Sequence, residues 1–309
     1  MNPITAPGVY DIEIERYHHD ATLCDGPSIS ASGLKAVDDC AARYWATSPY
    51  NPNRVQRKET TALNLGRAAH AVVLGEPEFL KYFIVSPYEE FRTNQAKEWR
   101  DAQTCTILKA PEFEIVLAMA KSQRESPYVM QAFERGRAEQ SLIWKDAETG
   151  IWLKARPDWL PDDPSQRFVV DYKTAVTIEP RKLSSDAFKF GYHIQAGLQM
   201  DGLQFALGIK RPLGIAHVVQ EKEPPFLCDL RMFQPEQLDL GRLIYRRALR
   251  KFADCMSSGK WPGYTADPQY FETPRWIAAQ LEEFSDDDDG NGATPTGRSY
   301  TPGDYLRAG

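Results

Sequence analysis

Between Ser141 and Ala175 the hydrophobic period of the chain changes, and that change restricts the fold to a mixed α/β architecture. Three apolar stretches lie there: SLIWKD from Ser141, IWLKARPDWL from Ile151 and RFVVDYKTA from Arg167. Branched and aromatic residues dominate them, and Glu148-Thr149-Gly150 and the polar run PDDPSQ separate them, the pattern of three consecutive strands forming a meander. Helical periods surround this block. Ser30 or Ser32 is placed to cap a helix through Leu34, Val37 and Tyr44. A second helix over Thr61–Leu74 carries Gly66 and His70 on one face, and a third runs from about Pro111 to Arg124. Downstream come a helical stretch from about Ser185 to Leu207, strand candidates LGIAHVVQ and FLCDLRMF, and an amphipathic helix from about Pro235 to Met256. Helices, meander, helix, strand pair and helix in that order predict an α/β core with a central mixed β-sheet flanked by helices.

Composition narrows the setting. No apolar run approaches the ~20 residues needed to span a bilayer, so no membrane association is expected. The N-terminus lacks a basic start followed by an apolar stretch, which points to a cytoplasmic protein. Cys24, Cys40, Cys105, Cys228 and Cys255 are an odd, scattered set, unlike a disulfide framework, and no Cys-x-x-Cys pair suggests structural zinc. The formal net charge of −6 argues by itself against a nucleic-acid partner. Asp286–Asp289 in a polar tail contributes to it, however, and a local basic surface matters more than the total. Residues 285–309 read as a disordered acidic and polar tail, and residues 1–27 as an N-terminal extension.

The chemistry concentrates in the meander. Asp171 and Lys173 are two apart on one strand and share a face. Asp158 ends the preceding strand, and an antiparallel connection brings it beside them. Two carboxylates and an ammonium at one point are costly unless something binds there. Magnesium, held by one or two carboxylates, waters and a substrate phosphate, resolves that cost. Such a site suits phosphodiester hydrolysis, with Lys173 orienting the attacking water or stabilising charge on the phosphoryl oxygens. A plain Asp171–Lys173 salt bridge is the alternative that the D-x-K spacing alone favours. His70 alone reads as a satisfied core histidine more readily than as a ligand. Phe188, Tyr192, Gln195 and Gln199 share one helix face, and a polar stripe there needs partners.

In order along the chain stand Gly66-x-x-x-His70, Arg156-Pro157-Asp158, Asp171-Tyr172-Lys173-Thr174 and Tyr192-x-x-Gln195. Together they resemble the PD-(D/E)XK nuclease superfamily, specifically its RecE (exonuclease VIII) branch, related to RecB-type nuclease domains and lambda exonuclease. The similarity spans roughly residues 28–265 and implies a restriction-endonuclease-like core within a nuclease domain of residues 28–284. It implies metal ligands at His70, Asp158 and Asp171, a catalytic lysine at Lys173, and Gln195 and Tyr192 positioning the water or a DNA phosphate. Glu139 becomes a candidate carboxylate for a second metal. The cofactor implied is Mg2+, with Mn2+ as the alternative. Gln199 stands where RecB-like helices often carry Tyr. Cys40 matches the early cysteine of cluster-bearing relatives, but only Cys228 and Cys255 follow it, so no iron–sulfur cluster is expected.

The resemblance further implies an exonuclease on double-stranded DNA ends that degrades the 5′ strand and leaves a 3′ overhang. Phage recombination systems pair such enzymes with a single-strand annealing protein, and relatives form ring-shaped homo-oligomers. An endonuclease, a CRISPR-adaptation-type nuclease and a non-catalytic DNA-binding protein are the alternatives. For DNA contact, Lys154 and Arg156 flank Asp158. Arg242, Arg246 and Arg250 form a stripe at i, i+4, i+8 that could follow a phosphate backbone or equally be a solvated helix face or make salt bridges at a subunit contact. Arg54, Arg57 and Lys58 form a second basic cluster.

Overall fold

The computed structural model describes residues 2–55, 61–265, 271–275 and 277; Arg57, Lys58 and the tail at 285–309 lie outside them. The chain begins with β1 (Gly8–Tyr10), α1 (Ile14–His19), β2 (Ser28–Ser30), α2 (Ala31–Asp39), α3 (Ala41–Thr47), α4 (Thr61–Leu74) and α5 (Glu76–Tyr82). Next come β3 (Phe83–Val85), α6 (Asn94–Asp101), β4 (Thr106–Leu108), α7 (Ala110–Arg124) and α8 (Pro127–Ala132). Five strands fill the middle: β5 (Gly136–Ala138), β6 (Ser141–Lys145), β7 (Trp152–Ala155), β8 (Trp159–Pro161) and β9 (Val169–Ala175). Then follow α9 (Pro180–Lys189), α10 (Tyr192–Leu207), β10 (Ile215–Glu221), β11 (Cys228–Met232) and α11 (Pro235–Ser258). This is the α/β architecture with mixed sheets and flanking helices that the hydrophobic pattern predicts.

The meander, however, is divided between two sheets. One sheet has the order β1-β6-β7-β2 and the other β11-β10-β9-β8-β5, while β3 and β4 pair separately. The stretch IWLKARPDWL is therefore not one strand. Its first half, β7, pairs with β6 and β2; its second half, β8, pairs with β5 and β9. Pro157 gives the physical reason, since it has no N–H for a ladder. The chain crosses from one sheet to the other through Arg156-Pro157-Asp158. In the second sheet β9 and β10 run parallel, joined by α9 and α10, and β8 and β11 flank them antiparallel.

Two predicted helices are also divided. The Leu34–Tyr44 stretch breaks at Cys40, which is extended at φ −157°. The long helix breaks at Gly191, left-handed at φ +67°, where an added Cβ would meet the Lys35 side chain at 2.7 Å. That turn starts α10 afresh, one residue before Tyr192.

Helix α10 is buried on opposite faces, which is why it shows little amphipathic period. Gly202 lies where a Cβ would be 2.9 Å from the Trp144 ring of β6, and Gly197 where it would be 3.1 Å from the Leu238 carbonyl of α11. The tightest approach is at Gly241 of α11, where a Cβ would lie 2.2 Å from the backbone oxygen of His193. Backbone cannot yield as a side-chain tip can, so Gly241→Val forces the two helices apart. Overpacking of this kind costs about 1–3 kcal/mol, and a urea melt of the variant is expected to show at least that loss.

The segment before residue 28 is part of this body. Strand β1 extends the first sheet along β6, and Ile12, Tyr17, Leu23 and Cys24 pack with Ile143 and Trp152. Met1–Lys260 forms one compact unit and Trp261–Gly309 a second; in the latter Ile277 N–H donates to the Pro274 carbonyl at 2.9 Å. The five cysteines are free thiols. Among the described residues no helix is long and apolar enough to cross a membrane.

Candidate metal centre

Strand β9 carries the centre. Val169 and Val170 are fully buried, and Tyr172 packs with Ala69 of α4, Met119 of α7 and Val218 of β10. This apolar clamp holds the strand, and its period of two sets Asp171 and Lys173 on the other face. Asp171 is fully buried and ion-paired through Oδ2 to the Lys173 ammonium. Its Oδ1 accepts from Gln195 Nε2 at 2.6 Å and, more weakly, from Gln199 Nε2 at 3.4 Å. Lys173 Nζ also lies 5.7 Å from the centre of the Tyr192 ring. The face of α10 read as a polar stripe thus finds its partner in the Asp171 carboxylate.

Asp158 reaches this strand from the crossing between the sheets. Its Oδ2 accepts the backbone N–H of Tyr172 at 2.5 Å, and its Oδ1 lies 2.9 Å from His70 Nε2. The other imidazole nitrogen of His70 is 3.5 Å from Glu139 Oε1. Glu139 follows β5, and its N–H donates to the Asp158 carbonyl at 3.0 Å, so backbone pairing sets the two acids side by side. Glu139 adopts φ +55°, a conformation that costs a non-glycine residue about 1–3 kcal/mol and persists where surrounding contacts enforce it. Arg156 supplies such contacts: its Nε donates to Glu139, and its Nη1 donates to Ile12 O and, at 3.3 Å, to Ser141 Oγ.

The charges are mutually dependent. Burial opposes the charged form of His70, but the Asp158 and Glu139 carboxylates outweigh it and raise the imidazole to about 9. Burial likewise works against ionised Asp158, and the His70 charge overrides it and holds the carboxyl below its usual range. Glu139 is pushed up, first by burial and then by Asp158, against the pull of His70 and Arg156. Lys173 loses hydration on burial, yet Asp171 and Asp158 raise it above its ordinary value. Its neighbour His217 is driven down to about 4, mainly by burial.

His70, Glu139 and Asp158 each present a ligand atom, and these atoms lie within 4.8 Å of one another. One imidazole nitrogen with carboxylate oxygens fits a hard divalent cation of the Mg2+ or Mn2+ type, and the set offers no thiolate. Asp171 adjoins this trio but is engaged with Lys173, Gln195 and Gln199; the ammonium two residues along is the nearest cation on its own face. A cavity of about 220 Å³ opens at the trio, lined in part by Glu139, Asp158, Gln195 and Gln199. A second, of about 260 Å³, takes in His70, Glu139 and Arg67. Ile14 and His18 of α1 line both.

The basic residues offered for DNA contact are placed otherwise than their spacing suggests. Lys154 is buried, donates to the Tyr17 carbonyl, and burial pulls it down to about 8. Arg156 is 8% exposed and holds Glu139. On α11, Arg242 pairs with Asp201 and Asp239, Arg246 with Asp146 and Glu148, and Arg250 with Glu148. The stripe therefore meets carboxylates of the same chain, from the β6–β7 turn, from α10 and from α11 itself, a pairing that the spacing did not foretell. The exposed pairs among them, Arg250 with Glu148 and Arg242 with Asp239, contribute roughly 0–1 kcal/mol each, against ~1.5–3 kcal/mol for a fully buried apolar side chain. They orient α11 on a fold that the core already holds.

Sequence reasoning missed His217 and the carbonyls of Ile12 and Tyr17. His217 left a signal, a lone polar residue amid the apolar run IAHVV of β10. The carbonyls left none, since every residue has one.

Residues 30–274 match the model of a family described as a PDDEXK-like domain of unknown function (DUF3799). Among solved structures, the chain is similar to a protein from Eubacterium rectale described as a "Putative exonuclease". The TM-score is 0.57 at 14% identity, covering 88% of this chain and 98% of that one, a likeness of fold. No curated protein matches the sequence.

Proposed function

From the premise that the chain belongs to this family of PDDEXK-like domains, and so to the PD-(D/E)XK superfamily, we propose that it is a divalent-metal-dependent deoxyribonuclease. The observation that carries this reading is the His70, Glu139 and Asp158 trio, whose Asp158 carboxylate accepts the N–H of Tyr172, the residue between the ion-paired Asp171 and Lys173. His70, Glu139 and Asp158 would hold the cation, with Asp171 adjoining. A bound Mg2+ or Mn2+ supplies Lewis acidity toward a phosphoryl oxygen and lowers the pKa of an attacking water.

The remaining work falls to the protein's own groups. Lys173 carries a charge that its acidic neighbours secure, so its ammonium stabilises negative charge developing on the phosphoryl oxygens. Gln195 keeps Asp171 from rotating by its 2.6 Å bond, and Tyr192 gives Lys173 an aromatic surface to rest against. Arg156 holds Glu139 toward His70.

We read the substrate as the ends of double-stranded DNA, degraded on the 5′ strand to leave a 3′ overhang for an annealing protein, with the enzyme acting as a ring-shaped oligomer. Two cavities that share Ile14, His18 and Glu139 support the part of this reading that passes a DNA strand along the centre. End-labelled linear duplex and covalently closed circles, each with and without Mg2+, test it. Release of 5′-labelled mononucleotides from linear DNA alone is the expected result. Cutting of closed circles would replace the exonuclease with an endonuclease, and no cutting of either in Mg2+ or Mn2+ would remove the nuclease.

The raised His70 gives a second test. Without metal its imidazole stays protonated up to about 9, and a metal binds only the neutral ring. Metal uptake at neutral pH is therefore expected to release close to one proton, with affinity rising as the pH climbs toward 9 and levelling above it. Calorimetry of Mn2+ binding in buffers of different ionisation enthalpy reads the proton count. His70→Gln is expected to abolish that release; a release unchanged in the variant would place the proton elsewhere.

A further inference from the structure

We infer that His217 is a positioning residue for the proposed reaction: it steadies the second oxygen of the Asp171 carboxylate and backs the Tyr192 ring against which Lys173 rests. This rests on the nuclease reading above.

Parallel pairing of β9 and β10 puts His217 directly beside Asp171 in register. Its Nε2 is 4.0 Å from Asp171 Oδ2. The imidazole lies nearly parallel to Tyr192, with centroids 5.8 Å apart and planes 6° apart, and meets the Phe233 ring edge-on at 5.3 Å. His217 thus touches Tyr192 and faces Asp171, both members of the proposed machinery.

Packing alone does not account for an imidazole here. His217 is 2% exposed, and neither ring nitrogen has a hydrogen-bond partner. Ile215, Ala216, Val218 and Val219 around it are all buried and apolar. Leucine or phenylalanine would fill the same space without leaving two buried polar atoms unpaired, an arrangement that costs stability. What histidine adds is one N–H donor on a ring of fixed orientation. The separation from Asp171 is about 1 Å beyond an ordinary N–H···O bond, a gap that a small rotation of the carboxylate closes.

In this structure the Lys173 ammonium occupies Asp171 Oδ2. When Lys173 turns to a substrate phosphate, that oxygen loses its partner while Gln195 still holds the other. The His217 N–H is then the neighbouring donor that prevents the carboxylate from swinging out of line. No proton changes hands in this role.

Two measurements test it. In NMR spectra of protein labelled with nitrogen-15 at histidine, His217 is expected as the neutral tautomer protonated at Nε2, with a shift that moves in Asp171→Asn. Single-turnover cleavage of linear duplex DNA in saturating Mn2+ then compares wild type, His217→Phe and His217→Gln. Phenylalanine preserves the stack on Tyr192 but has no donor, so the rate should fall about 10–100-fold at a similar melting temperature. Glutamine restores a donor and should recover most of the loss. Protonation at Nδ1, a shift indifferent to Asp171→Asn, or a wild-type rate in a folded His217→Phe protein would each overturn the inference. Failure of the nuclease reading shows separately, as wild-type protein that neither binds Mn2+ nor cuts DNA. The NMR result decides the His217–Asp171 contact even then.

Discussion

Lys173→Ala is expected to lower single-turnover cleavage of duplex DNA by roughly 10²–10³-fold, the usual effect of removing one preorganised group that stabilises transition-state charge. DNA binding should change little, because a single phosphate contact is a small part of the total. Lys173→Arg should not restore the rate: a planar guanidinium cannot occupy the place of a compact ammonium between Asp171 and the Tyr192 ring. The substitution also leaves Asp171, fully buried, with its two glutamine donors and the His217 imidazole 4.0 Å away in place of an ion pair. Breaking a buried pair costs up to about 3–5 kcal/mol, and the partial exposure of the lysine, at 22%, places the loss toward the lower end or below it. A divalent cation would then supply the missing positive charge, so Mg2+ should raise the melting temperature more in the variant than in wild type. Cleavage within a few-fold of wild type would remove Lys173 from the chemistry.

Asp158→Ala is expected to abolish measurable metal binding and cleavage together. Loss of a group that merely orients a ligand costs about 10–100-fold in affinity, and Asp158 is proposed as a ligand itself, so the loss should exceed that range. The variant also strips two structural contacts, the bond from Tyr172 N–H at 2.5 Å and the 2.9 Å pairing with His70. Asp158→Asn separates the effects. Its amide oxygen still accepts from Tyr172 N–H, so that contact survives and only the ion pair with His70 is lost, while the lost charge should still eliminate Mn2+ binding by calorimetry. Equal affinity in Asp158→Asn and wild type would show that the carboxylate charge holds no cation.

The parts of this site legible in the sequence are those set by local geometry. Asp171 and Lys173 share a face because alternation along a strand depends on nothing beyond the strand. Thr61–Leu74 is a helix with the predicted bounds, and His70 sits on it facing Asp158. Asp158 meets the strand of Asp171 at the Tyr172 N–H, and it arrives by a crossing between two sheets at Pro157 instead of a turn within one. Proline's missing N–H was readable; which sheet would receive the next residues was not, since both halves of the stretch are equally apolar.

Arg246 and Arg156 show the other limit. The stripe on α11 was plain in the spacing, yet Arg246 pairs with Asp146 and Glu148, about a hundred residues earlier in the chain. Arg156 flanks the acid motif, yet it binds Glu139 and the carbonyl of Ile12. By itself the sequence determined the element types, the faces of strands and helices, and the residues able to do metal-dependent chemistry. Those follow from backbone periodicity and side-chain functional groups, both properties of short stretches. The tertiary structure alone decided which charge meets which, and so which cations face a ligand and which are already neutralised. Electrostatic partnership is a matter of distance in space, and only the packing of the two sheets and α10 against α11 sets those distances.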